Sequence, residues 1–333
     1  MEDDTGTMGD GFAVALNGYG LQREDGHREV LAWHDVVQIA RTAEEGGYQA
    51  IFVPEIGARE AFSTLVGLAA ETSRVRLVSG VAPIGSRDPR RMAMEAATLN
   101  DLSGGRGILG LGAREPIERT RGEIAAIRAL LAGEEPKVEG DGAAALPGLD
   151  LFPGRMPIYL AALGPRMTEL AGEVADGVIL NWCTPERVSQ AHEQLARGAA
   201  RAHRDVSTVT VCVYVRAAIG MSEELALEAL RAALAEYAGM PTYARQLEAM
   251  GLGAQGRRAA EAISLDDVPE SLVDALCVRG GREEALARLG EYQDAGADVV
   301  VVYPVPELDA ATSITGTVLG LAPSPAVDPS APR

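Results

Sequence analysis

Residues Met156–Asn181 read MPIYLAALGPRMTELAGEVADGVILN, and this stretch decides the fold. Ile158-Tyr159-Leu160 is a short apolar run, the pattern of a strand covered on both faces. Ala161-Ala162-Leu163-Gly164-Pro165 then narrows to small residues and punctuators. Pro165 suits the first turn of a helix, where its missing N–H has no partner in any case. Met167, Leu170, Ala171 and Val174 fall on one helical face, Asp176-Gly177 ends the helix, and Val178-Ile179-Leu180 is the next buried strand. So compact a βαβ unit puts both strands in one parallel sheet. Its chemical feature is the Leu163–Met167 loop. Small residues let a ligand approach the backbone, free N–H groups open a helix, and Arg166 adds positive charge, which together favour a phosphate or other anion. The same residues also read as an ordinary βα turn in which Gly164 relieves the backbone, and both readings stand at this point.

Outward from this unit the rhythm repeats. Strands are predicted at Phe12–Asn17, Ala50–Val53, Val75–Ser79 and Gly107–Leu111 before it, and at Thr208–Val215 and Asp298–Tyr303 after it. Helices are predicted between them, among them Ala32–Glu45, Glu60–Glu71, Pro89–Leu102, Ile117–Leu131, Val188–Ala202, Glu223–Tyr237 and Arg282–Ala295. Eight buried strands alternating with helices indicate a TIM (β/α)8 barrel of the α/β class. Residues 240–276, broken by Gly251, Gly253 and Gly256, read as a helical excursion inserted between strands seven and eight. One barrel domain over residues 12–321 is expected, with a disordered acidic tail over residues 1–11 and a disordered proline-rich tail over residues 322–333.

The chain has 333 residues, 47% of them hydrophobic but only 4% aromatic, so the core is built from Ala, Val, Leu and Ile. A net charge of −18 argues against nucleic acid and against an anionic membrane surface as partners. No apolar run is long enough to span a membrane, and the acidic N-terminus is unlike a signal peptide. Cys183, Cys212 and Cys277 form no CxxC pair and suggest buried thiols in a reducing cytoplasm.

In a TIM barrel, chemistry sits where strands hand over to the following loops. Those positions are Asn17, Glu55, Gly80-Val81, Gly110–Gly112, Ala161–Arg166, Asn181 and Tyr303-Pro304, a set rich in Gly, Ala and amides and poor in charge. Lys137 is the only lysine and lies away from any strand end, so a Schiff-base lysine is not expected. His27, His34, His192 and His203 form no metal-binding pair at a strand end, so no metal is expected. A site with little acid, base or metal points to a bound organic cofactor that carries the chemistry.

Three blocks then resemble the bacterial luciferase-like monooxygenase superfamily, in particular its coenzyme F420-dependent branch. They are TSRVRLVSGVAP at Thr72–Pro83, AATLNDLSGGRGILGLG at Ala96–Gly112, and PIYLAALGPRMTELAGEVADGVILN at Pro157–Asn181, the last similar to methylenetetrahydromethanopterin reductases. The resemblance implies a homodimer of barrels that holds a deazaflavin or flavin at the C-terminal mouth. The cofactor phosphate would be held by Ala161, Ala162, Leu163, Gly164, Pro165, Arg166 and Met167. The ring would lie against a bulge at Gly80, Val81 and Ala82, with a non-prolyl cis peptide at or beside Gly80-Val81, and Gly110, Gly112 and Asn181 would line the pocket.

Two departures stand out. Relatives often carry a histidine where this chain has Ile56, and the loop after Gly112 is short. The expected function is F420-dependent hydride transfer to or from a small organic substrate, with Glu55 for proton traffic and Asn181 for polar contact. An FMN-dependent monooxygenase and a non-catalytic flavin- or deazaflavin-binding barrel remain as alternatives. Gly110 and Gly112 read equally as tight barrel packing, Glu55 also reads as a helix cap or an ion-pair partner of Arg59, and Arg87, Arg90 and Arg91 read as a solvated face.

Overall fold

A computed structural model describes residues 8–16, 19–22, 28–56, 59–113, 116–134, 155–307 and 309–323. Residues 1–7, Asn17, the positions after Ala113, the Gly- and Ala-rich stretch 137–149 and the chain beyond 323 lie outside them.

Eight strands form the barrel: β1 (Gly11–Ala15), β2 (Ala50–Val53), β3 (Arg76–Ser79), β4 (Gly107–Gly112), β5 (Ile158–Ala161), β6 (Gly177–Asn181), β7 (Thr210–Ala218) and β8 (Val299–Pro304). Each pairs in parallel with the next, and β8 returns to β1 through Gly11↔Val299, so the ring closes. The helices are α1 (Trp33–Glu45), α2 (Ala61–Glu71), α3 (Pro89–Leu102), α4 (Ile117–Leu131), α5 (Pro165–Val174), α6 (Pro185–Arg201), α7 (Glu223–Ala238), α8 (Pro241–Ala249), α9 (Gly253–Ala260), α10 (Glu270–Leu276), α11 (Arg282–Asp294) and α12 (Ala310–Gly320). Several starts are set by side chains: Glu60 caps α2, Asp88 caps α3 ahead of Pro89, and Ser222 caps α7. The fold is therefore the expected TIM barrel, and α8, α9 and α10 make up the excursion between β7 and β8.

Strand alternation sorts the core into two layers. Val14, Ile51, Leu77, Leu109, Leu160, Val178, Val213 and Val300 face the helices. Ala13, Phe52, Val78, Ile108, Tyr159, Ile179, Tyr214 and Val301 fill the barrel interior. Met8 joins that interior, and its backbone N–H donates to the Tyr159 hydroxyl at 3.4 Å. The excursion has an apolar core of its own, in which Trp182 packs with Leu230, Leu247, Leu272 and Val305.

Two local features differ from the sequence reading. The segment between β1 and α1, where no strand is predicted, contains a short antiparallel pair, Tyr19–Gln22 with Arg28–Val30. The excursion closes with a short strand, Cys277–Arg279, parallel to the end of β7. Both are edge pairings of only a few residues, too short to leave a periodic signal.

Helices α5 and α6 meet at glycines. A Cβ on Gly172 would overlap the Leu195 carbonyl, and one on Gly198 would overlap the Glu169 carbonyl. The close backbone approach fixes α5 against its neighbour. Gly198→Ala is therefore expected to lower stability by about 1–3 kcal/mol through overpacking. Thermal melting followed by circular dichroism checks this, and a variant that melts with the parent would show that the two helices are not in this contact.

Candidate functional site at the barrel mouth

The interior layers end near the C-terminal ends of the strands. Strands β3 and β7 stand four positions apart round the ring in either direction, so they face each other across it. From β7 the Tyr214 hydroxyl crosses the interior and donates to the Gly80 carbonyl at 2.8 Å. A Cβ on Gly80 would overlap that hydroxyl, so glycine is what lets the phenol arrive. The Gly80-Val81 peptide is cis, at the position the resemblance implied. Phe52 and Tyr303 pack edge-on to Tyr214, each with ring centroids 5.7 Å away. Burial pushes the Tyr214 phenol well above its ordinary pKa, so it stays protonated and donates. Tyr214 thus floors the mouth.

The small residues expected around a cofactor ring divide into two groups. Gly110 is fully covered. Ser79 Oγ donates to its carbonyl and accepts from its N–H, both at 2.9 Å, and a Cβ there would overlap the Ser79 carbonyl. Ala82 is also covered, and it pairs with Leu111. Val81, Gly112 and Ala161 remain half-buried at the mouth, and a Cβ on Gly112 would run into the Val81 side chain. Packing alone accounts for Gly110. At Gly112 the missing Cβ is what lets the Val81 side chain close in.

The loop between β5 and α5 leaves the start of the helix without a side-chain cap. Gly164 is the N-cap residue, in extended backbone with no side-chain cap, and Pro165 opens α5. Ala162 is buried, Leu163, Gly164 and Met167 are half-buried, and Pro165 and Arg166 are exposed. A Cβ on Gly164 would meet nothing within 4 Å. Beneath the loop lies Arg187 of α6, 6% exposed. Its Nη2 donates to Thr168 Oγ1 at 3.1 Å and to the Leu163 carbonyl at 3.4 Å, while its Nη1 is buried with no partner among the described residues. Burial lowers the pKa of this guanidinium. A buried cation and the helix N-terminus therefore point their charge at the same loop.

Asn181, at the end of β6, is tied into a polar network. Its Nδ2 donates to the Tyr243 hydroxyl at 2.9 Å, and its Oδ1 accepts from Arg216 Nη1. Gln246 Nε2 donates to the Asn181 carbonyl at 2.7 Å and also to the Trp182 carbonyl. Trp182 itself sits at φ 50°, a strained position for a bulky residue. Tyr243 and Gln246 belong to α8, so the excursion reaches over the mouth and holds the end of β6.

Glu55, just past β2, is held on both oxygens. Arg87 donates to Oε1 at 2.7 Å and to Oε2 at 2.9 Å, and the Ala61 N–H donates to Oε2 at 3.2 Å. Arg87 also pairs with Glu95 at 2.6 Å and Glu60 at 3.4 Å, and its side chain is only 12% exposed. These bonds raise the Arg87 pKa, the Glu55 hydrogen bonds foremost. Arg87 is therefore a half-buried hub rather than part of a solvated face, because three carboxylates converge on it. Glu55 pairs with it and not with Arg59, which donates to the Leu31 carbonyl.

The sequence reading did not single out Tyr214, Arg216, Arg187, Tyr243 or Gln246. For Tyr214 and Arg216 the signal was present: Cys212, Tyr214 and Arg216 occupy alternate positions of β7 and so share its inward face. Tyr243 and Gln246 had none, since their role depends on where a non-periodic insertion docks.

Comparison with known proteins fits this geometry. The luciferase-like monooxygenase family model matches residues 18–299. The 5,10-methylenetetrahydromethanopterin reductase of Methanolobus tindarius is 33% identical over 294 residues, covering 80% of this chain and 89% of that protein. The solved coenzyme F420-dependent tetrahydromethanopterin reductase of Methanopyrus kandleri superposes with a TM-score of 0.77 at 22% identity, covering 95% of this chain and 98% of the other. A type II Baeyer–Villiger monooxygenase of Pseudomonas putida, solved in complex with FMN, has the same fold, with a TM-score of 0.71 at 14% identity over 98% of this chain and 100% of the other. A mouth floored by Tyr214, edged with small residues and flanked by the uncapped start of α5 thus sits in a chain that belongs to the luciferase-like monooxygenase family of enzymes.

Proposed function

We propose that this protein is an F420-dependent oxidoreductase that moves hydride between a deazaflavin and a small organic substrate. The observation that carries the proposal is Arg187, a buried guanidinium with one nitrogen unpartnered among the described residues, beneath the uncapped N-terminus of α5, which together would cradle an anion. Burying a cation without a counter-charge is costly unless a ligand supplies the anion. The preference for F420 rests on the reductase relative at 33% identity.

The residues present fit such a cofactor. Leu163, Gly164, Arg166 and Met167 would offer backbone N–H groups to its phosphate, between Ala161-Ala162 and the start of α5 at Pro165. Val81 and Gly112, with Gly80 behind them, would bear on one face of the ring. Bound there, the deazaflavin would supply a ring carbon that gives or accepts hydride. The chain's own work is to hold and orient the reactants and to exclude water. Tyr214 and the aromatic residues around it close the floor to solvent. Asn181, fixed by Tyr243 and Gln246, would present a polar edge to ring or substrate. Glu55 is assigned to proton traffic, with Arg87 fixing its orientation through a two-pronged pair. The three cysteines are free and buried, which suits a reducing cytoplasm, and the family resemblance supports a homodimer. No helix among the described residues is long and apolar enough to cross a membrane.

FMN is the second candidate, because the same fold holds it in the Pseudomonas putida enzyme. Titration of the purified protein with F420 and with FMN, read by cofactor fluorescence, separates the two. Tight F420 binding with weak FMN binding is expected, and the reverse order would assign the chain to the monooxygenase side. Binding of neither would remove the cofactor reading, whereas binding without turnover across a broad substrate panel would favour a carrier.

The cradle is tested by Gly164→Val. Open space around Gly164 lets the variant fold, so its melting temperature should stay close to that of the parent. Cofactor affinity should fall about tenfold or more, which corresponds to at least about 1.4 kcal/mol. Unchanged affinity in a folded variant would mean that the phosphate lies elsewhere.

A further inference from the structure

Arg216 is 4% exposed and lies on the inward face of β7, one layer above the Tyr214 floor. Its guanidinium carbon lies 4.1 Å from the centroid of the Trp182 ring, 4.3 Å from that of Tyr303 and 5.4 Å from that of Tyr237. Its hydrogen bond goes to the neutral Asn181 Oδ1, and among the described residues no carboxylate pairs with it. The contrast within the chain is informative. Arg87, less deeply buried, collects three carboxylates, and Arg106 is satisfied by backbone carbonyls. Ring faces offset part of the desolvation of a guanidinium, but they accept nothing from its in-plane donors, for which Asn181 Oδ1 is the one side-chain acceptor among the described residues. The protein carries a net charge of −18 and so has carboxylates in abundance, yet the described part of the mouth sets none against Arg216.

We infer that Arg216 is a substrate-anchoring residue, and that the substrate of this enzyme carries a carboxylate which the Arg216 guanidinium grips beside Asn181. This rests on the oxidoreductase reading above and narrows it to anionic substrates. The planar guanidinium fork matches a carboxylate through two parallel hydrogen bonds. Walls made of flat rings suit a planar two-oxygen group better than a tetrahedral phosphate. The phosphate cradle beside Arg187 is a separate place, reached from α6 rather than from β7. An orientation fixed at Arg216 would turn the adjacent carbon of the substrate toward the small-residue side of the mouth, where the ring is proposed to lie.

The test uses Trp182 as a reporter. The chain has two tryptophans, so the full-length protein carrying Trp33→Phe retains Trp182 alone, in contact with Arg216. Its emission is followed as pyruvate and benzoate are added, with acetone and benzamide as neutral counterparts and inorganic phosphate as a tetrahedral anion. The carboxylates should change the emission saturably and the neutral compounds should not. Arg216→Gln should weaken the carboxylate response by roughly tenfold or more, and Arg216→Lys should recover only part of it. Should Arg216→Gln fail to fold, Arg216→Lys carries the comparison, because it keeps the charge and loses the fork.

F420 affinity, read from the fluorescence of F420 itself, should be the same in Arg216→Gln as in the parent. A response that survives in the Arg216 variants, a response to phosphate alone, or no response to either carboxylate would overturn the inference. A tenfold loss of F420 affinity in Arg216→Gln would hand the oxyanion to the cofactor and overturn it equally. If the parent binds no F420 but the carboxylate response depends on Arg216, the deazaflavin reading fails and the anionic-substrate assignment stands.

Discussion

The Tyr214 hydroxyl donates to the Gly80 carbonyl from the opposite wall of the barrel at 2.8 Å, and this contact sets the level at which packing gives way to the site. Below it, Ile108, Tyr159, Val301 and Met8 fill the interior as a solid core. Above it, the inward positions carry small or polar side chains: Gly112, Ala161, Asn181 and Arg216. The contact exists only because residue 80 has no Cβ and because Tyr214 is long enough to cross. A buried hydroxyl and a buried carbonyl satisfy each other there, so the floor needs no water.

The two sides of the mouth are chemically unlike. Strands β3, β4 and β5 and the residues just past them contribute Gly80, Val81, Gly112 and Ala161, all small or apolar and without charge. Strands β6, β7 and β8 contribute Asn181, Trp182, Arg216 and Tyr303, which offer hydrogen bonds, charge and ring faces. The excursion braces the second side through Tyr243 and Gln246 and leaves the first alone. A cofactor on the small side and a substrate on the polar side is the arrangement this asymmetry favours. In such a division the excursion tunes the substrate and the βα unit at Met156–Asn181 serves the cofactor.

The barrel was legible because its signal is periodic. Short apolar runs such as Val178-Ile179-Leu180, each followed by a helix with one apolar stripe, leave few other folds open. The α5 loop was legible because Gly164-Pro165 at a strand-to-helix turn has a local meaning. The long-range pairings were not. Arg87 looked like a surface residue at the start of α3, and only the folded chain brings Glu55, Glu60 and Glu95 around it. Arg187 lies in an amphipathic helix, and its burial follows from the glycine contacts that press α5 onto α6. Arg216 could have been reached by extending the alternation of Cys212 and Tyr214 by one step. Its aromatic surroundings come from β6, β8 and α7, which no local pattern connects.

The central claim is that the mouth holds a deazaflavin with its phosphate at the α5 N-terminus and its ring on the Gly80-Val81 side. A crystal structure of the protein grown with F420 tests it most directly. The account predicts phosphate oxygens within hydrogen-bond distance of the backbone N–H groups of Leu163, Gly164, Arg166 and Met167, and the ring against Val81 and Gly112. Density for the phosphate at any other helix terminus, or a ring stacked outside the barrel mouth, would contradict it.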